Sequence, residues 1–443
     1  MNNSKVCKFG GGAFLKPEGP DTFQKILDDD PDRKYFVFSA LGSNGEKEDR
    51  TTQLLLQLAN HKVQEQSVNG SIVDRLITKH EEIYPRSANI VRDTITKRLM
   101  EDLPPAALVA LMKSTGEYIK TKLAANRYGL EFIDPREIIK VTGNYDKARI
   151  LPLTYKLIAE RLTGNSRFAI PGFSGQLENG HVATFEFGGS DTTGSIIARG
   201  VNASVYENWT ESAIHAAHPN IVPHAHKIDE MTRRELRDLA YSGFNIIQDE
   251  AVLPLVGSAV KLHVRSMERY PERGTFVVGE RVSDSNKPIV GVAYRDDLCS
   301  FRIEGYGLDN KTGILWKILR IFDNENRQVP VIFPPSGVDD ISVVVEQGPV
   351  KNEVNEIKAE LYELVGREGH KVHFLQDRGC MVVAGKGLAR DDLIDGRIRI
   401  ALGESGLKVV ASNSGEGRRS ILYALNKEDG PEAVRLVYNK FMK

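Results

Sequence analysis

The chain has 443 residues, with 59 lysines and arginines against 60 aspartates and glutamates and a formal net charge of -1. That balance excludes a global field drawing the chain to nucleic acid or an anionic membrane, so any anion site has to be local. The length fits two to four domains, and 41% hydrophobic with 27% charged residues is the mix of a globular protein with a sizeable core. The Met-Asn-Asn-Ser-Lys start lacks a signal-peptide apolar region, and no uncharged apolar run is long enough to span a bilayer, which predicts a cytoplasmic protein. Cys7, Cys299 and Cys380 are far apart with no CxxC spacing. They fit a reducing compartment, provide no metal framework and are expected to be small core residues.

Taken in order, residues 6–9 read as a strand that carries Lys8 and empties into Gly10, Gly11 and Gly12. Glycines let the backbone approach a ligand closely, and a lysine at a strand end can neutralise phosphoryl charge; a solvated strand-end lysine is the plain alternative. A helix over 22–27 and a buried-type strand over 34–39 ending in Ala-Leu-Gly follow. Strand, Gly-rich loop, helix, strand is the opening of an α/β unit with a parallel sheet. Residues 51–123 are mostly helical by periodicity, broken at Asp102-Leu-Pro-Pro105. Within them, Ser114-Thr-Gly-Glu117 enters a helix, and Glu117 reads either as a receiver for an ammonium group or as a first-turn glutamate favoured by the helix dipole.

Strands are expected at 130–133, 168–171 and 180–187, with Asp134-Pro-Arg-Glu137 starting a helical turn. The last strand delivers the chain to Thr184-Phe-Glu-Phe-Gly-Gly-Ser-Asp-Thr-Thr193 and the mostly apolar run 194–203. A strand ending in two glycines and a small-polar cluster, then opening into a helix, gathers backbone N–H groups that attract phosphate. Asp191 sits in the middle of that spot, either organising lysines or a magnesium ion or serving as an ordinary helix cap. A strand at 203–206 leads to Glu207-Asn-Trp-Thr-Glu-Ser212, with Trp209 a core residue or a flank for a base. A helix at 229–243, a helix around 251–256 and strands at 260–265 and 274–278 close this part, and the polar, turn-rich stretch 279–289 reads as a linker.

Beyond it the units shorten. Strands at 299–304, 329–333, 341–345 and 372–375 alternate with helices at 313–325 and 354–365. The grammar then repeats with strands at 380–384, 409–410 and 420–425 and helices near 393–402 and 432–441. Two β-α-β-β-α-β patterns suggest paired ferredoxin-like units suited to small-molecule sensing.

Lys8-Phe-Gly-Gly11, Ser39-Ala-Leu-Gly42, Ser114-Thr-Gly-Glu117, Gly188-Gly-Ser-Asp191 and Pro219-Asn-Ile-Val222 together resemble, in order, the landmarks of aspartate kinases. The C-terminal part is similar to that family's tandem ACT domains, and Pro335-Ser-Gly-Val-Asp-Asp-Ile-Ser342 resembles an effector loop. The resemblance implies an α/β chain: an amino-acid-kinase fold, an open α/β sheet sandwich over residues 1–283, followed by two ferredoxin-like ACT domains. These are a linker and first domain over 284–378 and a second over 379–443, completed by a strand near 290–296. It implies ATP and Mg2+ as cofactors and transfer of phosphate to the side-chain carboxylate of aspartate, by placement and charge stabilisation.

By position, Lys8 would stabilise the transferring phosphoryl group and Asp191 would organise the lysine and the metal-nucleotide. Glu117 would hold the substrate amine, with Ser39, Thr52 and Phe187 on the acceptor side. Gly10, Gly11, Gly188, Gly189, Ser190, Thr210 and Glu211 would lie on the nucleotide side, and Ser336, Asp339 and Asp340 at an effector. A homodimer or larger homo-oligomer, an amino-acid effector such as lysine or threonine, and no nucleic-acid or membrane partner are the expectations.

Several positions depart from the family's pattern. Phe187 stands where an arginine usually pairs with a substrate carboxylate, Gly10-Gly-Gly-Ala13 lacks two hydroxyls, and Gln53 replaces an aspartate. Thr210-Glu-Ser-Ala-Ile-His215 shortens the nucleotide loop, and Asn413-Ser-Gly-Glu-Gly-Arg-Arg419 differs from the second ACT loop. Two alternatives therefore stand beside aspartate kinase: a paralogue activating a different carboxylate, and a non-catalytic ACT-containing sensor subunit.

Overall fold

The computed structural model describes residues 3–43, 47–65, 67–186, 188–210, 213–241, 243, 249–281, 288–308, 312–324, 327–336, 339–366, 370–415, 417 and 419–443. The chain divides into two compact units. The first comprises residues 1–214, 227–233 and 245–281, and the second 215–226, 234–244 and 282–443. The second unit thus includes two short segments that lie before residue 283. Most of the expected 279–289 linker, 282–287, falls outside the described residues.

The first unit is built on an eight-stranded sheet in the order Glu230–Thr232, Thr275–Val278, Lys261–Ser266, Val205–Thr210, Lys5–Phe9, Arg33–Phe38, Phe168–Pro171, Glu131–Phe132. Its central strands are all parallel, and only Lys261–Ser266 against Thr275–Val278 is antiparallel. Strand alternation sorts the side chains. Cys7 and Phe9 pair with Phe36 and Phe38 on one side and with Glu207 and Trp209 on the other, while Lys8 pairs with Val37 and Asn208.

The Phe9, Phe36, Phe38 and Trp209 face joins one apolar cluster with the helices Thr51–Glu65, Gly70–Glu81, Ala88–Leu99, Pro105–Lys113 and Thr115–Tyr128. The helix Gly189–Gly200 lies against the sheet too, close enough that a Cβ on Gly194 would sit 2.4 Å from the Tyr206 hydroxyl. Ligands of open parallel sheets bind beyond the carboxyl ends of the strands, where Phe9 gives way to Gly10.

The second unit carries a six-stranded antiparallel sheet in the order Val331–Ser336, Asp340–Glu346, Gly291–Glu304, Lys371–Ala384, Ser420–Asn426, Ala411–Asn413. Two 14-residue strands form its centre, with Gly291 opposite Ala384 at one end and Glu304 opposite Lys371 at the other. Each long strand serves both β-α-β-β-α-β repeats, which fuses them into one sheet. The helices Ile314–Phe322 and Val354–Val365 close one apolar core with Phe301, Val343 and Val345.

Several elements differ from the reading of the sequence, among them the strands at 299–304 and near 290–296, which form one strand, Gly291–Glu304. The strand expected at 180–187 is ordered as a strand only over Val182–Thr184. The helix expected at 229–243 begins at Arg233, because Glu230–Thr232 pairs with Phe276, Val277 and Val278 and helical periodicity starts after it. The strand at 409–410 lies instead at Ala411–Asn413. The separate strands at 372–375 and 380–384 are one, since the polar Gln376, Asp377 and Arg378 stay in the strand and a register shift with Asp377 at φ 56° absorbs the irregularity. Cys7, Cys299 and Cys380 are buried free thiols. Among the described residues no helix is long and apolar enough to cross a membrane.

Candidate active site

Lys8 and Asp191, 183 residues apart in the chain, meet with Nζ to Oδ1 at 2.6 Å. The same Oδ1 accepts a 2.8 Å bond from Asn208 Nδ2, and the Tyr206 hydroxyl donates to the Asp191 carbonyl at 3.2 Å. Gly188 precedes the helix at φ 85°, a left-handed conformation open to glycine, and its carbonyl accepts the Asp191 N–H at 2.9 Å. Asp191 therefore lies in the first turn, fixed from the sheet by Asn208 and Tyr206 and holding the lysine. The N-terminal N–H groups of this 12-residue helix open onto the same ground.

The glycine loop is shaped by contact with the next strand's exit. Ser39 N–H donates to Phe9 O at 3.1 Å and Gly42 N–H to Gly11 O at 3.0 Å. A Cβ on Gly11 would lie 2.8 Å from the Ala40 carbonyl, so only glycine fits where the two loops cross. Gly10 N–H donates to Trp209 O at 3.1 Å. The loop is thus tied down on both sides.

Beneath it lie two buried charged side chains of the helix Thr115–Tyr128. Glu117 is 5% exposed and Lys120 fully buried. Burial pushes the Glu117 carboxyl up to about 7 against the Ala40 N–H that donates to it and the nearby Lys120 and Lys8 charges. Burial and the Lys8 charge bring the Lys120 ammonium down to about 7, with Glu117 opposing. Lys120 Nζ donates to Gly10 O at 3.3 Å and sits 4.4 Å from the Phe14 ring centre, so it supports the glycine loop from below. Glu117 Oε2 has no partner among the described residues. A first-turn glutamate serving only the helix dipole would lie in water; this one is buried and aimed at the loop crossing.

Of the other expected site residues, Ser39 and Thr52 are half-buried, and a Cβ on Gly116 would lie 2.8 Å from Ala40 Cβ and 2.9 Å from Thr51 Cγ2, which brings their segments to Glu117. Gly189 and Ser190 pack against Phe173 and Gly172. Thr210 ends its strand and its hydroxyl donates to Arg265 O at 3.4 Å. Phe187 and Glu211 lie outside the described residues, as does the Ser336 side chain. Asp339 and Asp340 belong to the second unit. Asp339 Oδ1 accepts the Gly307 N–H at 2.7 Å, and Asp340 pairs with Arg302 at 2.6 Å. Trp209 flanks no base: it is fully buried, stacked on Phe9 at 5.9 Å, with its indole N–H donated to Glu207 at 3.1 Å.

Sequence reading passed over Asn208 and Lys120. A lysine three residues after Glu117, between Ile119 and Leu123 on the apolar side of its helix, is the signal that marks Lys120. Asn208 is marked by strand alternation, which places it beside Lys8. Among the described residues no three His, Cys, Asp or Glu side chains converge as a metal cage. The lone Asp191 carboxylate fits a magnesium ion carried in by phosphate oxygens, which needs few protein ligands.

Residues 4–266 match the model of the amino acid kinase family. Aspartokinase 3 of Bacillus subtilis is 28% identical over 452 aligned positions that cover 99% of this chain and 98% of that protein. The crystal structure of Clostridium acetobutylicum aspartate kinase superposes with a TM-score of 0.84 at 27% identity, covering 99% of this chain and all of that one. Escherichia coli aspartokinase III, solved in complex with aspartate and ADP, shares the fold at a TM-score of 0.78 and 19% identity, covering 99% of this chain and all of that one. The architecture is that of an amino-acid-kinase domain followed by C-terminal ACT-type domains.

Proposed function

The chain belongs to the amino acid kinase family, on its aspartokinase branch, and we propose that it transfers the γ-phosphoryl group of ATP to the side-chain carboxylate of aspartate. The observation that carries this reading is the 2.6 Å Lys8–Asp191 pair at the meeting of the glycine loop and the helix N-terminus. Phosphoryl transfer asks little covalent work of a protein and much fixed positive charge. Lys8 supplies that charge at the transferring group, and Asp191, held by Asn208, keeps the lysine in place. Asp191 would also help hold magnesium, which, when bound, neutralises phosphate oxygens. Glu117 takes the ammonium of the acceptor, and Ser39 and Thr52 line its pocket. Gly10, Gly11, Gly188, Gly189 and Ser190 present backbone and hydroxyl donors to the phosphates, with Thr210 and Glu211 toward the base.

The enzyme works in the cytoplasm as a homodimer or larger homo-oligomer. An amino acid binds at the loop bearing Ser336, Asp339 and Asp340 and regulates it. A different carboxylate as acceptor is the second reading, favoured by Phe187 where the family has arginine. ADP release measured with aspartate, glutamate, succinate and malate separates the two. Aspartate is expected to give the highest kcat/KM; a higher value for any of the others would transfer the assignment to that acid.

A further inference from the structure

The chain passes from the helix Gly70–Glu81 to the helix Ala88–Leu99 through residues 82–87, which form one wall of a cleft of about 390 Å3 in the first unit. Tyr84, Arg86 and Ser87 come from this connection, Ile90 from the helix after it, and Leu123 and Arg127 from the helix Thr115–Tyr128. None of the residues assigned to phosphoryl transfer lines it. Tyr84 is 4% exposed and Ser87 2%, yet neither hydroxyl has a hydrogen-bond partner among the described residues. Buried hydroxyls are almost always satisfied, so two unsatisfied ones on the wall of a single cleft mark a place for a bonding partner.

The charge around the cleft is positive. Ser87 is the N-cap of Ala88–Leu99, but its side chain makes no cap bond, and the first turn of that 12-residue helix carries no acidic residue. The partial positive charge of the helix start, with N–H groups that have no carbonyl of their own helix to bond, is thus left unneutralised. Arg86 stands just before it and Arg127 on the neighbouring helix, both exposed, and no carboxylate pairs with either among the described residues. Arg127 belongs to the last turn of its helix, where its full charge outweighs the partial negative charge of the carbonyl end. Its Nη1 donates to Ile83 O at 2.9 Å, which ties the guanidinium to the connection, and its charge opposes the upward push that burial gives the Tyr84 hydroxyl. Arg86 has a φ of 67°, a left-handed conformation uncommon outside glycine. That conformation costs the chain something glycine would avoid, and the guanidinium is what glycine would lack.

We infer that this cleft is a second ligand site, for a small phosphate monoester, separate from the Lys8–Asp191 centre. Helix-start N–H groups and guanidiniums are the donors that phosphate oxygens take, and arginine meets them two bonds at a time. The Tyr84 and Ser87 hydroxyls have hydrogen bonds to spare, and Ile90 and Leu123 take the carbon part of the ligand. A carboxylate, with two oxygens, would leave more of these donors unused than a phosphate with three. Two solvated surface arginines beside a helix start would instead attract phosphate weakly and without regard to the carbon body attached to it.

The test titrates the full chain, its kinase centre saturated with MgADP, with inorganic phosphate, phenyl phosphate and benzoate by calorimetry. Wild type is compared with Arg86→Gly, Arg127→Gln and Lys8→Ala. Arg86→Gly suits the left-handed backbone while removing the guanidinium, so it probes the site in a chain whose fold is kept, which thermal melting verifies. Phenyl phosphate is expected to bind wild type at one site per chain, more tightly than inorganic phosphate and about 10-fold or more tighter than benzoate. Losing one charge-assisted contact is worth about 10–100-fold, so Arg86→Gly and Arg127→Gln should each weaken phenyl phosphate by that factor and Lys8→Ala should leave it unchanged. Binding that Arg86→Gly leaves intact, or that Lys8→Ala removes, would put the phosphate elsewhere and overturn the assignment, as would a wild type that does not bind phenyl phosphate. Equal binding of phosphate and phenyl phosphate would reduce the cleft to a patch of surface charge, and benzoate as tight as phenyl phosphate would contradict the phosphate class.

Discussion

Burial raises the Glu117 carboxyl, and the Ala40 N–H and the Lys120 and Lys8 charges offset only part of that, leaving it at about 7. If Glu117 takes the acceptor's ammonium, it must be ionised to do so. A raised carboxyl loses its proton only as pH passes upward through about 7, so kcat/KM for the acceptor is expected to rise across that range and level off above it. Glu117→Gln should abolish the rise and lower kcat/KM by about 10–100-fold, the worth of a contact to a charged group. A profile in which Glu117→Gln still climbs through 7 would assign the titration elsewhere, Lys120 being the neighbour that titrates in the same range.

At this scale the sequence showed the residues that carry charge beside glycine: Lys8, Asp191 and Glu117 are legible because polar groups flank segments that have to be buried. Lys120 was not, because a lysine inside a helix reads as solvated until the fold shows the face it is on.

The central strands carry a second set of charges, unrelated to phosphate. Glu207, 2% exposed, pairs with Arg33 at 2.8 Å and with Arg265 at 3.4 Å, and accepts from Trp209 and Cys7. Burial alone would raise its carboxyl, but the Arg33 and Arg265 guanidiniums outweigh it and hold it below the ordinary value. A depressed carboxyl contributes stability above the ordinary glutamate range and loses it as pH falls through its folded value. Stranding that charge is costly, so Arg33→Met is expected to destabilise the protein by about 3–5 kcal/mol in urea unfolding. Arg33→Met combined with Glu207→Leu should lose less than the sum of the two single changes; strict additivity would show that the pair does not interact.

This network was not read from the sequence, although its strands were. Arg33, Glu207 and Arg265 lie on three strands brought together by parallel pairing through Lys5–Phe9, and nothing local records that order. Elements with strong local periodicity, such as the helices over 354–365 and 430–441, were legible to within a residue or two. Glu230–Thr232 was missed because its strand character comes from its partner Thr275–Val278, in the face of polar residues that suit a helix. The break expected within Lys371–Ala384 followed a polar cluster that the neighbouring long strand pairs through.

For the molecule as a whole, similarity to aspartokinases extends over almost all of the chain, ACT-type sheet included. A regulatory unit retained in full predicts that an amino acid changes catalytic rate. Lysine and threonine titrated against ADP release are expected to reveal at least one inhibitor. Asp340→Asn, which breaks the pairing with Arg302 at the mouth of the expected effector loop, should raise the half-inhibitory concentration several-fold. Indifference to both amino acids would mean that the ACT pair senses another molecule or none. The effector was not legible because Asn413-Ser-Gly-Glu-Gly-Arg-Arg419 departs from the family's second ACT loop.

The proposal that carries the rest is that Lys8, held by Asp191, stabilises the phosphoryl group as it passes from ATP to the side-chain carboxylate of aspartate. Trapping with hydroxylamine tests it most directly, since an aspartyl phosphate becomes a coloured hydroxamate. Wild type with MgATP and aspartate is expected to form hydroxamate in step with ADP, and Lys8→Ala to fall by about 100–1,000-fold or more while remaining folded. ADP release without hydroxamate, or undiminished hydroxamate from Lys8→Ala, would contradict it.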